Sequence, residues 1–220
     1  MLAGDLCWQV RAWGQWVLGR ARVDLARYYP VVNGEPTVAY LWARTARDIQ
    51  TEGCIPILKT FMICRKKGQR VALLPVPDTA KKAVTFKLLT EEHLATAERR
   101  ARVIEDHPIL TRWGVTGDML EDFLKKGTKS DAGVWSPFEK GRPDLLALRM
   151  DEIREQGRRG LMGIQMTAVC VEATVPGKKK TVKIYRTPTQ EETDLANVEL
   201  EVIEDAFGNV PYGIPDEATS

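Results

Sequence analysis

The first apolar pattern along the chain is a stripe with helical spacing. Apolar side chains recur every three or four residues, at Leu6, Val10, Trp13, Val17, Ala21 and Leu25. Side chains three and four residues apart share one face of an α-helix, so the pattern predicts an amphipathic helix over residues 5–29. Asp5 is a suitable N-cap, and Pro30 ends the helix because it disfavours the α conformation at Tyr29.

After this helix the pattern changes to short segments that are rich in β-branched and aromatic residues. Turn formers separate the segments, at Asn33-Gly34, Lys67-Gly68 and Pro77-Asp78. They predict an antiparallel β-meander with strands at residues 37–45, 55–65, 70–76 and 83–89. The link over residues 65–70 then forms a hairpin tip that carries four cations.

The second half of the chain mixes helical and strand patterns. A helix capped by Thr90 is predicted over residues 90–104, followed by a short helix over 117–126 and a loop or linker over 127–142. The next elements are a strand near 145–149, a helical turn closed by Gly157 over 151–156, and strands at 161–173 and 181–187. A final helix is predicted over 188–206, where Thr189 and Glu192 have the spacing of a capping box.

These elements predict an α+β fold. We expect an N-terminal helix (1–30), a β-meander (31–90), a helical segment with a linker (91–142), and a β-hairpin with a C-terminal helix and an acidic tail (143–220).

The composition and the N-terminal residues bear on the cellular compartment in which the protein is expected. The 220 residues are 44% apolar and 28% charged, and no apolar run approaches the about 20 residues of a membrane span. The N-terminus also lacks the order of a signal peptide, so we expect a cytoplasmic protein. In that compartment buried thiols are the favoured interpretation of the scattered cysteines Cys7, Cys54, Cys64 and Cys170.

The net charge of +2 conceals strong segregation of charge. Residues 59–82 contain seven Lys and Arg against the single acid Asp78, and residues 158–186 contain seven against Glu172. Residues 187–220 contain nine acids and no base. This pattern favours a basic face for a polyanion, with solvated loops as the alternative interpretation.

A search for catalytic and cofactor motifs finds none. The run GRRGLMG (157–163) follows a predicted helix and precedes a strand, which reverses the order of a nucleotide-binding turn. His93 and His107 have no cysteine close in sequence, and the string NVPY (209–212) lacks the second proline of an amine-binding motif. We therefore predict no catalytic, cofactor-binding or metal-binding residue, and a chain that is inactive by itself.

Four strings, taken in order, nevertheless resemble a known family. They are WGQWVLGRARVDLARYYP (13–30), TVAYLWARTA (37–46), IPILKTFMICRKKG (55–68), and GLMGIQMTAVCVEA (160–173) followed by YRTPTQEE (185–192). This order is similar to the central region of the large adenine-specific DNA methylases that have a zinc ribbon and an N-terminal domain of unknown function. Such methylases often occur beside phage-defence genes and are linked with restriction-modification.

The resemblance implies a part of the methylase without the catalytic elements. The S-adenosylmethionine loop and the Asp-Pro-Pro-Tyr amine site of the family would both lie outside this chain. Relatives carry Cys-x-x-Cys pairs just after the W-A-R-T residues of the second string and again before the fourth string. At these places this chain has Cys54 alone and, at 134–141, no cysteine. Because tetrahedral zinc needs four ligands, we expect the ribbon to be absent or metal-free.

Two functional hypotheses remain. In the first, the chain is a DNA-contacting accessory segment of an N6-adenine methyltransferase, in which cations bind phosphates and Arg44 or Gln165 reads base edges. The DNA-contacting residues would be Arg44, Arg65, Lys66, Lys67, Arg70, Arg158, Arg159, Gln165, Lys178, Lys179 and Lys180. In the second, the Trp13 stripe and the acidic tail form a protein-interaction module for a split methylase or another phage-defence complex.

Overall fold

The computed structural model describes residues 6–32, 34–138, 146–174 and 181–195. The chain divides into two units, one of Met1–Gly34 with Pro188–Ser220 and one of Glu35–Thr187, here called the sheet unit. The helices are α1 (Leu6–Leu25), α2 (Glu91–Leu94), α3 (Ala97–Asp106), α4 (Pro108–Arg112), α5 (Leu120–Lys125), α6 (Met150–Arg158) and α7 (Gln190–Leu195). The strands are β1 (Val31–Val32), β2 (Glu35–Arg47), β3 (Cys54–Ile57), β4 (Met62–Cys64), β5 (Val71–Asp78), β6 (Ala83–Thr90), β7 (Gly133–Val134), β8 (Leu148–Arg149), β9 (Gly163–Ala173) and β10 (Val182–Arg186).

The predicted N-terminal helix is present as α1. It gives way to a 3-10 turn at Ala26–Tyr28, just before Pro30, while the proposed N-cap Asp5 lies outside the described residues. No residue of α1 is buried, so the apolar stripe covers no core in the described part of the chain. Large apolar side chains also lie beside the stripe, at Trp8, Trp16, Leu18 and Val23, and the helix is apolar around much of its circumference.

The sheet unit is built on a mixed sheet with the strand order β10-β9-β2-β3-β6-β5-β4. All neighbours are antiparallel except β3 and β6, which are parallel and meet where Cys54 pairs with Ala83. The α+β class is therefore confirmed, but the strand order is not that of a simple meander. The predicted strand at 55–65 is broken into β3 and β4. Strand β3 pairs with β2 and β6, whereas β4 pairs with β5.

Two hydrophobic clusters hold the sheet unit together. The larger one packs β4, β5 and β6 against the short helices α2–α5, with Phe61, Leu74, Leu110 and Leu120 completely buried. The smaller one packs α6 and the β7–β8 pair against β2 and β3, through Ala46, Ile55, Val134, Leu148 and Ile153. Helix α6 is thus fixed to the strands by its apolar face, with its polar side chains left outside.

Several helix boundaries differ from the predictions for local reasons. The predicted helix at 90–104 is interrupted, and α3 begins anew because the Thr96 hydroxyl accepts a hydrogen bond from the amide of Arg99 at 3.3 Å. Helix α6 continues through Gly157, and Gly160, with φ of +64°, follows its end instead.

The capping box at the start of α7 is confirmed. The Glu192 carboxylate accepts a hydrogen bond from the Thr189 amide at 3.0 Å, and the Glu192 amide donates to the Thr189 hydroxyl at 3.2 Å. The rest of the predicted C-terminal helix lies outside the described residues. No helix in the described part of the chain combines the length and apolar character that crossing a membrane requires.

The expectation of buried thiols is wrong for two of the four cysteines. Cys170 is buried in β9 and Cys64 is partly buried, but Cys7 and Cys54 are exposed. Cys7 lies on α1, which buries none of its residues, and Cys54 stands at the first position of β3.

Candidate nucleic-acid interface

The strands that flank the two basic hairpins of the sequence prediction lie at opposite edges of the sheet. Arg65, Lys66 and Lys67 are exposed in the turn between β4 and β5, at one edge of the sheet. Strands β9 and β10 form the other edge, with β2, β3 and β6 in between. Their connection carries the remaining predicted cations, which lie outside the described residues: Lys178, Lys179 and Lys180.

Arg70 is bound by carboxylates instead of facing solvent. Its guanidinium forms ion pairs with Glu91 at 2.8 Å and with Glu121 at 2.7 Å, and its side chain is only 21% exposed. The hydrogen bond from the Arg70 side chain lowers the pKa of Glu91 to about 2. This cation joins β5 to α2 and α5, and we exclude it from the interface.

Gln165 is also committed to a protein partner. Its side-chain amide donates a hydrogen bond to the carbonyl oxygen of Val84 at 2.6 Å. Gln165 pairs with Ala43 of β2, whereas Arg44 pairs with Ile164. Because successive side chains of a strand alternate between faces, Gln165 and Arg44 lie on opposite faces of the sheet and cannot read the same ligand.

Arg158 and Arg159 lie at the end of α6, beside a cleft of about 1010 Å³. Arg158 is paired with Glu155 at 3.2 Å. The cleft is also lined by five carboxylates, which oppose the binding of an anion: Asp48, Glu52, Asp151, Glu152 and Glu155.

A second groove, of about 480 Å³, has a different electrostatic character. Four cationic side chains from separate segments line it, and no carboxylate does among the described residues. They are Arg44, Lys59, Lys129 and Arg154. Trp42, Ile57 and Met162 supply apolar lining. We call this site the cationic groove.

Strand β2 places Trp42 and Arg44 in the groove. The two residues are two positions apart and therefore share one face of the strand. A β-bulge lies just before them, because Leu41 pairs with Ala168 while Trp42 pairs with Met166. Bulges alter the direction in which side chains point and are common beside binding sites.

Lys59 and Lys129 are held close by a network between the segment after β3 and the segment after α5. The amide of Lys129 donates to the carbonyl oxygen of Leu58 at 2.9 Å, and the amide of Leu58 donates to the Thr128 hydroxyl at 2.9 Å. A Cβ at Gly127 would stand 1.9 Å from the Leu58 carbonyl oxygen, so only glycine permits this approach.

Helix α6 brings Arg154 to the groove. Ile153 anchors the helix in the smaller hydrophobic cluster. The side-chain amide of Gln156 accepts from the Arg47 amide at 2.9 Å and donates to the Arg47 carbonyl oxygen at 2.8 Å, which ties the helix to the end of β2. Arg154, next to Ile153 in sequence, is exposed at the groove.

The arrangement suits an anionic ligand. Within the described part of the chain, none of the four cations forms an ion pair or a side-chain hydrogen bond with the protein. Unpaired cations on a concave surface attract phosphates and release counterions when they bind them. Among the described residues that line the groove there is no His, Cys, Ser, Thr, Asp or Glu.

Of the predicted DNA-contacting residues that the structure describes, only Arg44 lies in the cationic groove. Lys59, Lys129 and Arg154 were not among the predicted contact residues. Lys59 was counted in the basic run at 59–82 but not singled out, and no local signal marks Lys129 or Arg154. Only the tertiary fold brings the three cations together.

Across the described ranges, no three His, Cys, Asp or Glu side chains form a group able to hold a metal ion. Burial raises the pKa of the Cys170 thiol, which disfavours the reactive thiolate. The 157–163 run lies between α6 and β9, and this order does not fit an S-adenosylmethionine turn.

Comparison of the chain with protein-family models, with curated proteins and with solved structures found no match.

Proposed function

We propose that the chain is a non-catalytic module that contacts DNA through the cationic groove. The observation that carries this proposal is the convergence of four cations from four segments without a carboxylate among the described lining residues. Keeping like charges together costs electrostatic free energy, which a bound polyanion removes. Phosphate contacts of this kind give affinity without sequence preference.

We further propose that the module serves an adenine-specific DNA methylase. The support is the resemblance in four strings, of which YLWART at residues 40–45 is the most specific piece. That piece lies within β2 and contributes both Trp42 and Arg44 to the groove. In this proposal another part of the methylase supplies S-adenosylmethionine binding and the amine site.

The test compares two triple variants with the same change in charge. Lys59→Gln, Lys129→Gln and Arg154→Gln remove groove cations, whereas Arg65→Gln, Lys66→Gln and Lys67→Gln remove the same residue types from the β4–β5 turn. Duplex affinity is measured by fluorescence anisotropy over a range of salt concentrations. For each lost phosphate contact, the slope of log affinity against log salt should flatten by about 0.9.

We expect the groove variant to bind at least about tenfold more weakly at low salt, because its phosphate contacts are lost, and to show the flatter slope. The turn variant should retain the wild-type slope. An equal loss in both variants would mean that only net charge matters, and the groove would then have no special role.

A second candidate function rests on α1. Three tryptophans of this helix are exposed, at 68% for Trp8, 66% for Trp13 and 63% for Trp16. Contiguous exposed apolar surface of this kind marks interaction sites. It favours the protein-interaction module as the alternative, with a methylase fragment or another phage-defence protein as its partner.

A further inference from the structure

We propose that the cationic groove binds single-stranded nucleic acid in preference to duplex, with one unpaired base stacked on Trp42. This inference rests on the proposed function and specifies its ligand. Phosphates on either side of the stacked base would lie against the groove cations. The combination of one aromatic platform and several cations is the pattern by which proteins hold single strands.

Trp42 differs from the other tryptophans of the sheet unit. Trp113 and Trp135 are 3% and 5% exposed, and they pack edge to face in the larger hydrophobic cluster. Trp42 is 40% exposed and lies in the groove. Its indole therefore presents apolar surface to solvent at the point where the cations converge, and a stacked base would cover that surface.

Stacking on Trp42 discriminates between single strand and duplex. In a duplex, the neighbouring base pairs cover both faces of each base, so an aromatic side chain can stack only on a base that has left the helix. In a single strand, the unstacked bases can reach the indole without loss of base pairing.

The size of the groove supports the same ligand. Its volume of about 480 Å³ falls in the range of about 300–1,000 Å³ that is typical of small-molecule sites. A nucleotide is a ligand of this class. A duplex would present only its outer phosphates to the rim and leave the indole uncovered.

The experiment measures the binding of the full chain to oligothymidylate of about 12 nucleotides and to a duplex of equal length. Trp42→Ala should weaken single-strand binding by about tenfold, from the loss of one stacked base, and duplex binding by less than about twofold. Trp16→Ala is the matched control, since it removes an exposed tryptophan of the other unit. It should change neither affinity.

A conservative variant distinguishes the loss of the aromatic ring from misfolding. Trp42→Phe keeps an aromatic platform and should retain most of the single-strand affinity. Oligothymidylate should also quench wild-type tryptophan emission more than that of Trp42→Phe, because a stacked base quenches the indole directly.

The outcomes separate this inference from the proposed function. If Trp42→Ala loses both ligands equally, or if quenching is the same in Trp42→Phe, the single-strand preference is overturned while the groove can still bind DNA. If the wild type binds neither ligand, both proposals fail.

Discussion

At the scale of single residues, the ion pairs of Arg70 explain why one cation of a basic run has a structural role. Its guanidinium reaches Glu91 and Glu121, and its backbone amide also donates to Glu91 at 3.0 Å. The ion pairs join the start of β5 to two helices. A run of like charges in a sequence does not show which member turns inward, because that depends on carboxylates 21 and 51 residues away.

The Glu91 carboxylate should make stability depend on acid pH. Its pKa of about 2 in the folded chain lies below the ordinary value of 4.5. A lowered pKa means that the ionised form stabilises the fold above the ordinary value, and that this contribution is lost as pH falls from about 4.5 towards about 2. Glu91→Gln should therefore lower the urea midpoint at neutral pH, with a difference from wild type that shrinks over this window.

The control for this prediction is Glu92→Gln, the exposed neighbour on the same helix. Because its side chain is exposed, Glu92→Gln should leave the urea midpoint at neutral pH close to that of the wild type. A Glu91→Gln curve that stays parallel to wild type down to about pH 2 would contradict the lowered pKa.

At the scale of elements, local residue patterns predicted the positions of several strands and a helix cap, but not how distant strands pair. The capping box at Thr189 and the strand patterns of β2, β5, β6 and β9 followed from residue spacing, because side-chain periodicity and capping act within a few residues. The parallel contact of β3 with β6 did not, since pairing between distant strands depends on tertiary packing. The early end of the predicted 55–65 strand has the same origin, as Leu58 bonds to Thr128.

Substitutions at two glycines test where helix α6 ends. Gly157 is helical, and a Cβ there would meet only the Met162 sulfur at 3.4 Å. Gly157→Ala should raise the free energy of unfolding by about 0.5–1 kcal/mol, because alanine favours the helix. Gly160 has φ of +64°, so Gly160→Ala should lower that free energy by about 1 kcal/mol through backbone strain.

Urea unfolding followed by circular dichroism measures both variants. The opposite signs form the internal control, since the two substitutions are chemically identical. If both destabilise, α6 ends before Gly157 in solution, as the sequence alone predicted.

At the scale of the whole molecule, the α+β class was predictable but the cationic groove was not. Its cations stand at positions 44, 59, 129 and 154, and only the first was singled out from the sequence. The prediction from sequence relied on runs of lysine and arginine, which concentrate charge locally. The fold instead joins cations from four separate segments, through the β2–β3 pair, the Leu58–Lys129 hydrogen bond and the hydrogen bonds of Gln156 between α6 and β2.

The position of the groove within the sheet unit leads to a final prediction. Both hydrophobic clusters and all groove residues lie between Glu35 and Thr187. A fragment of these residues contains a complete core and should unfold cooperatively, with a urea midpoint close to that of the full chain. It has 28 Lys and Arg against 19 Asp and Glu, a formal net charge of +9 in place of +2.

The fragment should therefore bind oligothymidylate at least as tightly as the full chain, because the nine acids of residues 188–220 are removed. The slope of log affinity against log salt should stay unchanged, since it counts phosphate contacts and the groove keeps its cations. A flatter slope from a fragment that still unfolds cooperatively would assign phosphate contacts to the arginines of α1. The interface would then extend beyond the groove, and the exposed helix would belong to the DNA-binding surface and not to a protein-interaction module.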